Sequence, residues 1–475
     1  MSSGADPNFF FKPETVAVIG ATEASGKISG IIMDSLASSG FQGRIYPVNP
    51  KYSSVKGYEC YPSIGAIGEA VDVAIVALPA FAVAQALEEA ASRVRGAIVI
   101  GGGFSEAGEA GQALERELKS LAVKTGMRII GPNCMGIYDT VSRLDTFFIP
   151  PERIKRPGTG HLSVVSQSGS FAVTAMDELA SESTGIARVI SYGNSSDVNE
   201  SDLLEFLADD EHTSAVAMYL EAVVDGQRFI KAAARCAAKK PVMAVKAGRG
   251  GAGQRATFSH TASIAGRYEI YKAAFKKAGI IELDGYEEFI AACKVFGAAK
   301  ARPSGGARVM IITDGGGVGV ALADECARRG LEAVPLKKEV EDGLSSMLPP
   351  YFAVGNPLDL TGSATDEWFA SSLEKTMAGD DYDVAIVAAL WGPPGLTDGL
   401  ARGIAVKADE SGKPVIICSP GGEYSRDKSR LFTGAGLPVF STPESAVRAA
   451  SILAKDAAFR KGRERKPTRR QARNE

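Results

Sequence analysis

Residues 16–30 read VAVIGATEASGKISG, an apolar β-branched run that ends in glycine and leads into a helix-like stretch. This order is typical of a parallel α/β domain, in which a buried strand passes through a tight turn into a helix. The segment GATEASGK resembles a phosphate-binding P-loop. However, Gly20 and Gly26 enclose five residues instead of four, and Ile28 stands where the metal-binding hydroxyl is needed. The loop therefore predicts an anion at the helix start, but not a nucleoside triphosphate.

The same order of strand, small-residue loop and helix recurs twice, in HLSVVSQSGS at 161–170 and in ARVMIITDGGGVGVALADECARRG at 307–330. Further apolar runs alternate with helical patterns after each of them. We therefore expect an α/β fold with three doubly wound parallel-sheet domains, a Rossmann-like domain followed by two flavodoxin-like domains. The predicted bounds are 1–150, 151–302 and 303–460, with a basic disordered tail at 461–475.

The composition is that of an ordinary globular protein. Of the 475 residues, 45% are hydrophobic and 23% charged, and a formal net charge of −3 gives no indication of a nucleic-acid partner. Six scattered cysteines without a CxxC pair indicate neither a metal site nor a disulfide framework. The N-terminus lacks an export signal, and no apolar run reaches the ~18 residues of a membrane span. We expect a cytoplasmic protein with no membrane partner.

Of the three histidines, His260 has the most favourable context for chemistry. It lies in RATFSHTASIAG, a run of small and hydroxyl residues that follows a glycine-rich stretch. His161 begins a predicted strand and His212 sits in an acidic turn, where a structural or exposed role is expected. Imidazole is reactive near neutral pH, which makes His260 a candidate nucleophile or proton carrier. The residue type alone leaves a structural role open.

A second predicted anion site follows the strand SVVS. Its loop consists of Ser166, Gln167, Ser168, Gly169 and Ser170. Main-chain N–H groups, hydroxyls and a helix N-terminus at such a place can bind phosphate without a lysine. An N-capped helix with no ligand is the alternative interpretation.

Glu221 ends a predicted buried strand, VAMYLE. A carboxylate at the carboxyl edge of an α/β sheet can hold the Nδ1–H of a nearby histidine, and a capping or surface role is the alternative. Cys134, in IIGPNCMG, is at a comparable strand end, but a buried thiol is a commoner role than a nucleophile. The glycine-rich loop that begins at Asp314 imitates a dinucleotide loop, which is a weak signal by itself.

Several ordered motifs together resemble the NDP-forming acyl-CoA synthetases, which are relatives of succinyl-CoA synthetase. Over roughly residues 10–460 the motifs are GATEASGKISG, PVNPK, GPNCMG, SQSGSFA, YGNSSDVNESDLLEFL, VKAGR and SHTASIAGRYEIYKAAFKKAGI. More narrowly, the chain resembles the α subunits of ADP-forming acetyl-CoA synthetases, because a third α/β domain follows the first two. The resemblance implies the reaction acyl-CoA + phosphate + ADP ⇌ acid + CoA + ATP, through an acyl phosphate and a phosphohistidine.

By this resemblance the first domain binds CoA and the second carries the phosphorylated histidine. The implied CoA-binding residues are Gly20, Ala21, Thr22, Ser25, Gly26, Lys27, Lys51, Pro79 and Asn133. The matching histidine is His260, which Glu221 would orient through Nδ1. The loop at 166–170 would bind the phosphate.

The final phosphoryl transfer needs a nucleotide site, and residues 303–460 have no room for an ATP-grasp fold. The resemblance therefore implies a separate ATP-grasp β subunit that binds ADP or ATP with Mg²⁺, in an α₂β₂ complex. Acetate is the expected acid, and larger acids stay open. A non-catalytic CoA-binding regulatory protein and a Rossmann oxidoreductase are the alternatives. The intact SHTASIAG segment disfavours the first, and the poor fit of GATEASG to GxGxxG disfavours the second.

Overall fold

A computed structural model gives the fold of the chain. It describes residues 7–253, 255, 267–298 and 306–464. The chain divides into two compact units. The first comprises residues 1–181 and 185–289, and the second comprises residues 182–184 and 290–475.

Strands and helices alternate through most of the described chain. The strands are β1 (Thr15–Ile19), β2 (Arg44–Val48), β3 (Ser54–Val55), β4 (Tyr58–Glu59), β5 (Val71–Val76), β6 (Val94–Val99), β7 (Arg128–Ile130), β8 (Gly136–Asp139), β9 (Leu144–Asp145), β10 (Thr159–Ser166), β11 (Ile186–Ser191), β12 (Ala215–Leu220), β13 (Val242–Lys246), β14 (Ile280–Leu283), β15 (Val309–Thr313), β16 (Leu358–Asp359), β17 (Val384–Ala388), β18 (Val415–Cys418) and β19 (Val439–Phe440). The helices are α1 (Ile28–Ser38), α2 (Ala80–Ala90), α3 (Glu109–Thr125), α4 (Gly169–Ser181), α5 (Glu200–Asp209), α6 (Gly226–Lys239), α7 (Tyr268–Ala278), α8 (Tyr286–Ala298), α9 (Gly316–Arg328), α10 (Lys338–Met347), α11 (Asp366–Met377), α12 (Gly399–Ser411), α13 (Glu423–Gly434) and α14 (Pro443–Glu464).

The first sheet of the first unit is parallel, in the order β2-β1-β5-β6-β7. The chain runs from β1 to β2 on one side and then crosses to β5 on the other, so the strand order reverses between β1 and β5. Gly20 follows β1 with φ +88°, and a Cβ there would lie 2.8 Å from the carbonyl oxygen of Ala77. Glycine is needed at this turn because other residues rarely adopt such a φ and have no space there.

The second sheet of this unit has the order β14-β13-β12-β10-β11-β8-β9. Strand order reverses between β10 and β12, which are parallel neighbours. Strands β8 and β9 are antiparallel additions at the far edge. Both precede Pro150, so this sheet includes residues that the sequence assigned to the first domain. Antiparallel neighbours need only a tight connection, which is why β9 can follow β8 after a short turn.

The second unit contains a parallel sheet in the order β16-β15-β17-β18-β19. The prediction of an α/β fold with largely parallel sheets is confirmed. Helix α14 continues to Glu464, and an ion pair of 2.9 Å between Arg460 and Asp456 supports its last turns. The first four residues of the predicted tail are therefore helical, and residues 465–475 lie outside the described part of the chain. The domain bounds remain predictions.

Within the residues that the structure describes, no helix is both long and apolar enough to cross a membrane.

Candidate active site

The loop between β1 and α1 lies at the carboxyl edge of the first sheet, beside the reversal of strand order. Asn49 Nδ2 donates to the carbonyl of Ala21 at 2.8 Å, and Thr22 Oγ1 lies 3.2 Å from the hydroxyl of Tyr52. These bonds hold the first half of the loop against the segment that follows β2. Open α/β sheets bind ligands in the crevice at such a reversal, so the loop is placed for a ligand.

The second half of this loop is open to solvent. Ser25, Gly26 and Lys27 are exposed, and none of the described side chains caps the first N–H groups of α1. Lys56 Nζ lies 2.7 Å from Ser25 Oγ and pairs with Asp34 at 2.9 Å. Free helix N–H groups beside two lysines make a favourable place for an anionic group.

Sequence reasoning missed Lys56. Its backbone has φ +52° and precedes Gly57 at φ +84°, so the Lys-Gly pair forms a tight turn between β3 and β4. That dipeptide was the available signal, but a turn in itself does not indicate which loop a lysine will face.

The other residues predicted to bind CoA follow strands of the same sheet. Lys51 comes after β2 and is exposed, with its N–H donating to Asn49 Oδ1 at 3.0 Å. Pro79 precedes α2 after β5. Asn133 comes after β7, and its N–H donates to the carbonyl of Gly101 at 3.0 Å. The carboxyl ends of parallel strands lie at one edge, so the fold gathers the predicted CoA-binding residues there. Their contact with CoA stays a prediction.

Asn133 is held by a polar network that sequence reasoning did not find. Its Nδ2 donates to Asn194 Oδ1 at 3.3 Å, and Asn194 Nδ2 donates to Glu106 Oε2 at 2.7 Å. Burial by itself would raise the pKa of Glu106, but the Asn194 amide and the N–H groups of Gly103 and Phe104 keep it below its usual value. Glu106 is therefore an ionised acceptor that fixes the loop after β6 near Asn133.

Gly30→Ala tests the shape of the first anion loop. A Cβ at Gly30 would lie 2.1 Å from the carbonyl oxygen of Ala24, so the loop must move to admit it. Overpacking of this kind costs about 1–3 kcal/mol, and we expect CoA affinity to fall at least about tenfold by calorimetric titration. Gly68→Ala is the control, because no atom lies within 4 Å of its added Cβ. Equal CoA affinity in the two variants would contradict a loop shaped for the ligand.

The second predicted anion loop joins β10 to α4. Ser168 caps α4, with its Oγ accepting the N–H of Phe171 at 3.3 Å and lying 3.1 Å from Ser170 Oγ. Ser166 Oγ donates to the carbonyl of Ser168 at 2.7 Å. A Cβ at Gly169 would lie 2.9 Å from the side chain of Met135, so the helix start is tightly packed. Ser168 is thus an N-cap of α4, and the anion-binding prediction stays a prediction, because the hydroxyls also line the helix start.

Gln167 joins this loop to Glu221. The Gln167 side-chain oxygen accepts the N–H of Glu221 and, at 3.0 Å, the N–H of Ala222. Glu221 is 6% exposed and directly follows β12. The two strands that carry Gln167 and Glu221 are the pair between which strand order reverses. The structure therefore brings the predicted phosphate loop and the predicted carboxylate together at the ligand-binding edge of the second sheet.

Buried titratable groups surround Glu221, and sequence reasoning missed them. Together with Glu221 they form a cluster of five side chains, each at most 9% exposed: Tyr192, Glu200, Glu221, Lys246 and Tyr271. Burial raises the pKa of Glu200 to about 7 and lowers the pKa of Lys246 to about 8. Perturbed groups at a sheet edge of this kind are typical of functional sites.

His260 lies outside the described residues, so its role stays a prediction.

Cys134 is described and is 3% exposed, with its thiol directed at the carbonyl of Val99 at 3.3 Å. Burial raises the pKa of the Cys134 thiol to about 12, which disfavours the thiolate that a nucleophile needs. In the second unit, Asp314 is buried and accepts the N–H of Leu390 at 2.9 Å, so it supports the backbone there.

Three family models match consecutive parts of the chain. They describe a CoA-binding domain at residues 14–140, a succinyl-CoA ligase-like flavodoxin domain at residues 159–296 and a ligase-CoA domain at residues 309–423.

Two curated proteins are similar along most of the chain. Acetate–CoA ligase [ADP-forming] II subunit alpha of Pyrococcus furiosus is 36% identical over 458 residues, which cover 95% of this chain and 98% of that protein. Acetate–CoA ligase [ADP-forming] I of Archaeoglobus fulgidus is 38% identical over 448 residues, which cover 93% of this chain. The chain spans only 62% of that longer protein.

Solved structures are also similar over almost the whole chain. Among them is dinucleotide-forming acetyl-coenzyme A synthetase 1 of Candidatus Korarchaeum cryptofilum, in complex with phosphate and ADP. The TM-score is 0.90 at 32% identity, and the match covers 98% of this chain and 100% of that one.

Proposed function

We propose that this chain, which belongs to the family of ADP-forming acetate–CoA ligases, is the α subunit of such an enzyme. The proposed enzyme interconverts acyl-CoA, phosphate and ADP with an acid, CoA and ATP. The family resemblance predicted from the ordered motifs is thus confirmed. Acetate is the first acid to test, because the similar proteins carry it in their names. The main observation behind the proposal is that the Gln167 side chain, in loop 166–170, accepts hydrogen bonds from the backbone at Glu221 and Ala222.

The first sheet is the proposed CoA site. The match of residues 14–140 to a CoA-binding domain supports this assignment. The open start of α1, with Lys27 and Lys56 nearby, suits the phosphates of CoA. Asn133, at the end of β7, would lie near the thioester.

The proposed chemistry has two steps on this chain. Inorganic phosphate attacks the thioester carbonyl, the C–S bond breaks, and CoA leaves with an acyl phosphate as the other product. The neutral imidazole of His260 then attacks phosphorus, and the bond between phosphorus and the acyl oxygen breaks. The carboxylic acid leaves and a phosphohistidine remains, whose phosphoryl group ADP later accepts to form ATP.

The residues of the second sheet have distinct proposed roles in these steps. The N–H groups at the start of α4 and the hydroxyls of Ser168 and Ser170 stabilise the charge of the phosphoryl group. Glu221 accepts the Nδ1–H of His260, which fixes the tautomer and stabilises the imidazolium during transfer. Gln167 holds the backbone of Glu221 and so keeps the carboxylate beside the phosphate loop.

Ser168→Ala tests the phosphate loop. We expect phosphorylation of the histidine to slow on the order of 10²-fold, as for the loss of one donor to a developing oxyanion. The lost helix cap should also lower the free energy of unfolding by about 1 kcal/mol. Thr365→Ala is the matched control, because Thr365 Oγ1 caps α11 in the other unit by accepting the Trp368 N–H at 3.3 Å. Equal phosphorylation rates in the two variants would show that Ser168 only caps the helix and does not act on the phosphoryl group.

A separate subunit completes the proposed enzyme. The chain matches almost all of a protein named subunit alpha but only 62% of the longer Archaeoglobus protein. We assign the ADP site, with Mg²⁺, to an ATP-grasp β subunit in an α₂β₂ complex. Val224 and Ile270 are 95% and 59% exposed and line a groove of about 680 Å³, which supports a covering partner.

The proposed location is the cytoplasm, which the six free cysteines support.

A further inference from the structure

Lys246 is a buried cation at the carboxyl end of β13. Its side chain is 2% exposed, and its Nζ donates to the carbonyl of Glu221 at 2.7 Å and to the carbonyl of Ala247. The ammonium also lies 4.6 Å from the ring centroid of Tyr271. Lysine is almost never buried to this extent without a specific arrangement of acceptors around it. Here one of the acceptors is the main-chain carbonyl of Glu221, whose carboxylate is proposed to orient the histidine.

Tyr271 fixes the next part of the same segment. Its hydroxyl accepts the N–H of Val223 at 3.1 Å. Gln167 binds the segment through the N–H groups of Glu221 and Ala222, and Lys246 binds it through the carbonyl of Glu221. The backbone from Glu221 to Val223 is therefore held by three side chains from three other elements. Such support keeps a side chain within a few tenths of an ångström of its working position.

The charge of Lys246 also acts on Glu221. The groups that face the ammonium are the Glu221 carboxylate, which favours the charged lysine, the Arg249 guanidinium, which disfavours it, and the Tyr271 ring. Burial is the largest influence and lowers the pKa of Lys246 to about 8. Lys246 is therefore protonated at neutral pH and loses its proton as the pH rises through about 8. Since the attraction is mutual, the charged lysine also attracts the Glu221 carboxylate.

We propose that Lys246 is a positioning residue for Glu221 in phosphoryl transfer to the histidine, through its bond to the Glu221 carbonyl and its positive charge. Loss of the lysine proton is then expected to set the alkaline limit of that transfer. This inference rests on the proposed function, because Glu221 matters only if a histidine is phosphorylated beside it. Lys246 does not touch the reacting atoms. It acts through the backbone and the charge of Glu221.

A second buried lysine offers a matched control. Lys240 is 8% exposed, and its Nζ donates to the carbonyls of Leu207 at 2.7 Å and Asp210 at 2.8 Å. Burial lowers its pKa as well. Lys240 precedes β13, at the opposite end of the strand from Lys246. The two residues therefore share burial and main-chain acceptors and differ in their distance from Glu221.

The test compares Lys246→Met, Lys246→Arg and Lys240→Met in the complex with the partner subunit. Labelling of the protein by acetyl-CoA and radioactive phosphate is followed from about pH 6 to about pH 10. The wild-type rate is expected to fall above about pH 8. Lys246→Met should label at least about tenfold more slowly at neutral pH and lack that fall, with an unchanged Kd for CoA. Lys246→Arg should restore the rate and move the fall to higher pH, because arginine stays charged.

Lys240→Met is expected to keep the wild-type rate and pH profile even if its melting temperature falls. A wild-type pH profile in Lys246→Met, or an unmoved alkaline limit in Lys246→Arg, would overturn the assignment while leaving the proposed function intact. If Lys246→Met does not fold, the pH profile of Lys246→Arg decides. Absence of label in the wild-type complex would overturn the proposed function, and this inference with it.

Discussion

Replacing His260 with alanine is expected to lower ATP formation from acetyl-CoA, phosphate and ADP on the order of 10⁴-fold or more. Alanine has no atom that can accept the phosphoryl group, so the acyl phosphate has no route to ADP through this chain. The measurement is steady-state turnover of the complex with the partner subunit. Binding of CoA should be unchanged, because the proposed CoA site is on the first sheet.

His212→Ala is the control for this loss. His212 is exposed in an acidic turn of the first unit, and its only proposed role is structural. We expect turnover at the wild-type rate. A His260→Ala enzyme that makes ATP as fast as His212→Ala would exclude a phosphohistidine at position 260.

Replacing Glu221 with glutamine is expected to slow histidine phosphorylation on the order of 10⁴-fold, by analogy with amide substitution of a carboxylate that orients a histidine. The amide keeps the volume of the side chain but lacks the charge that stabilises the imidazolium. The bonds from Gln167 and Lys246 are made to the main chain of Glu221, so the local fold should persist. Single-turnover labelling measures the rate, and circular dichroism checks the fold.

Glu211→Gln is the matched control, since Glu211 is an exposed carboxylate in the same unit. Its labelling rate should equal that of the wild type. If Glu221→Gln also labels at the wild-type rate, the carboxylate has the capping role that its position at a strand end equally allows.

The fold could be predicted because its signals are local. Each of β1, β10 and β15 is an apolar run followed by small residues and a helical pattern, and each became a strand, loop and helix in the structure. The place of β8 and β9 could not be predicted, because both join the second sheet only through the pairing of β8 with β11, which lies about fifty residues later. Local sequence does not encode such a pairing.

Only part of the candidate site could be predicted from the sequence. Glu221 and loop 166–170 were found because both stand where a strand ends, and parallel strands place such ends together. Lys246 and Glu200 were missed because their shifted pKa values depend on burial and on neighbours from other elements. A lysine at the end of VMAVK looks like an exposed charge until the fold places Tyr271 beneath its ammonium.

The most direct test of the phosphohistidine is to incubate the wild-type complex with acetyl-CoA and radioactive phosphate, without ADP, and to map the label. We expect an acid-labile, base-stable phosphoryl group on His260, which appears only with the thioester and is removed when ADP is added. Bound CoA with no label on the protein, or a label that persists in His260→Ala, would contradict it.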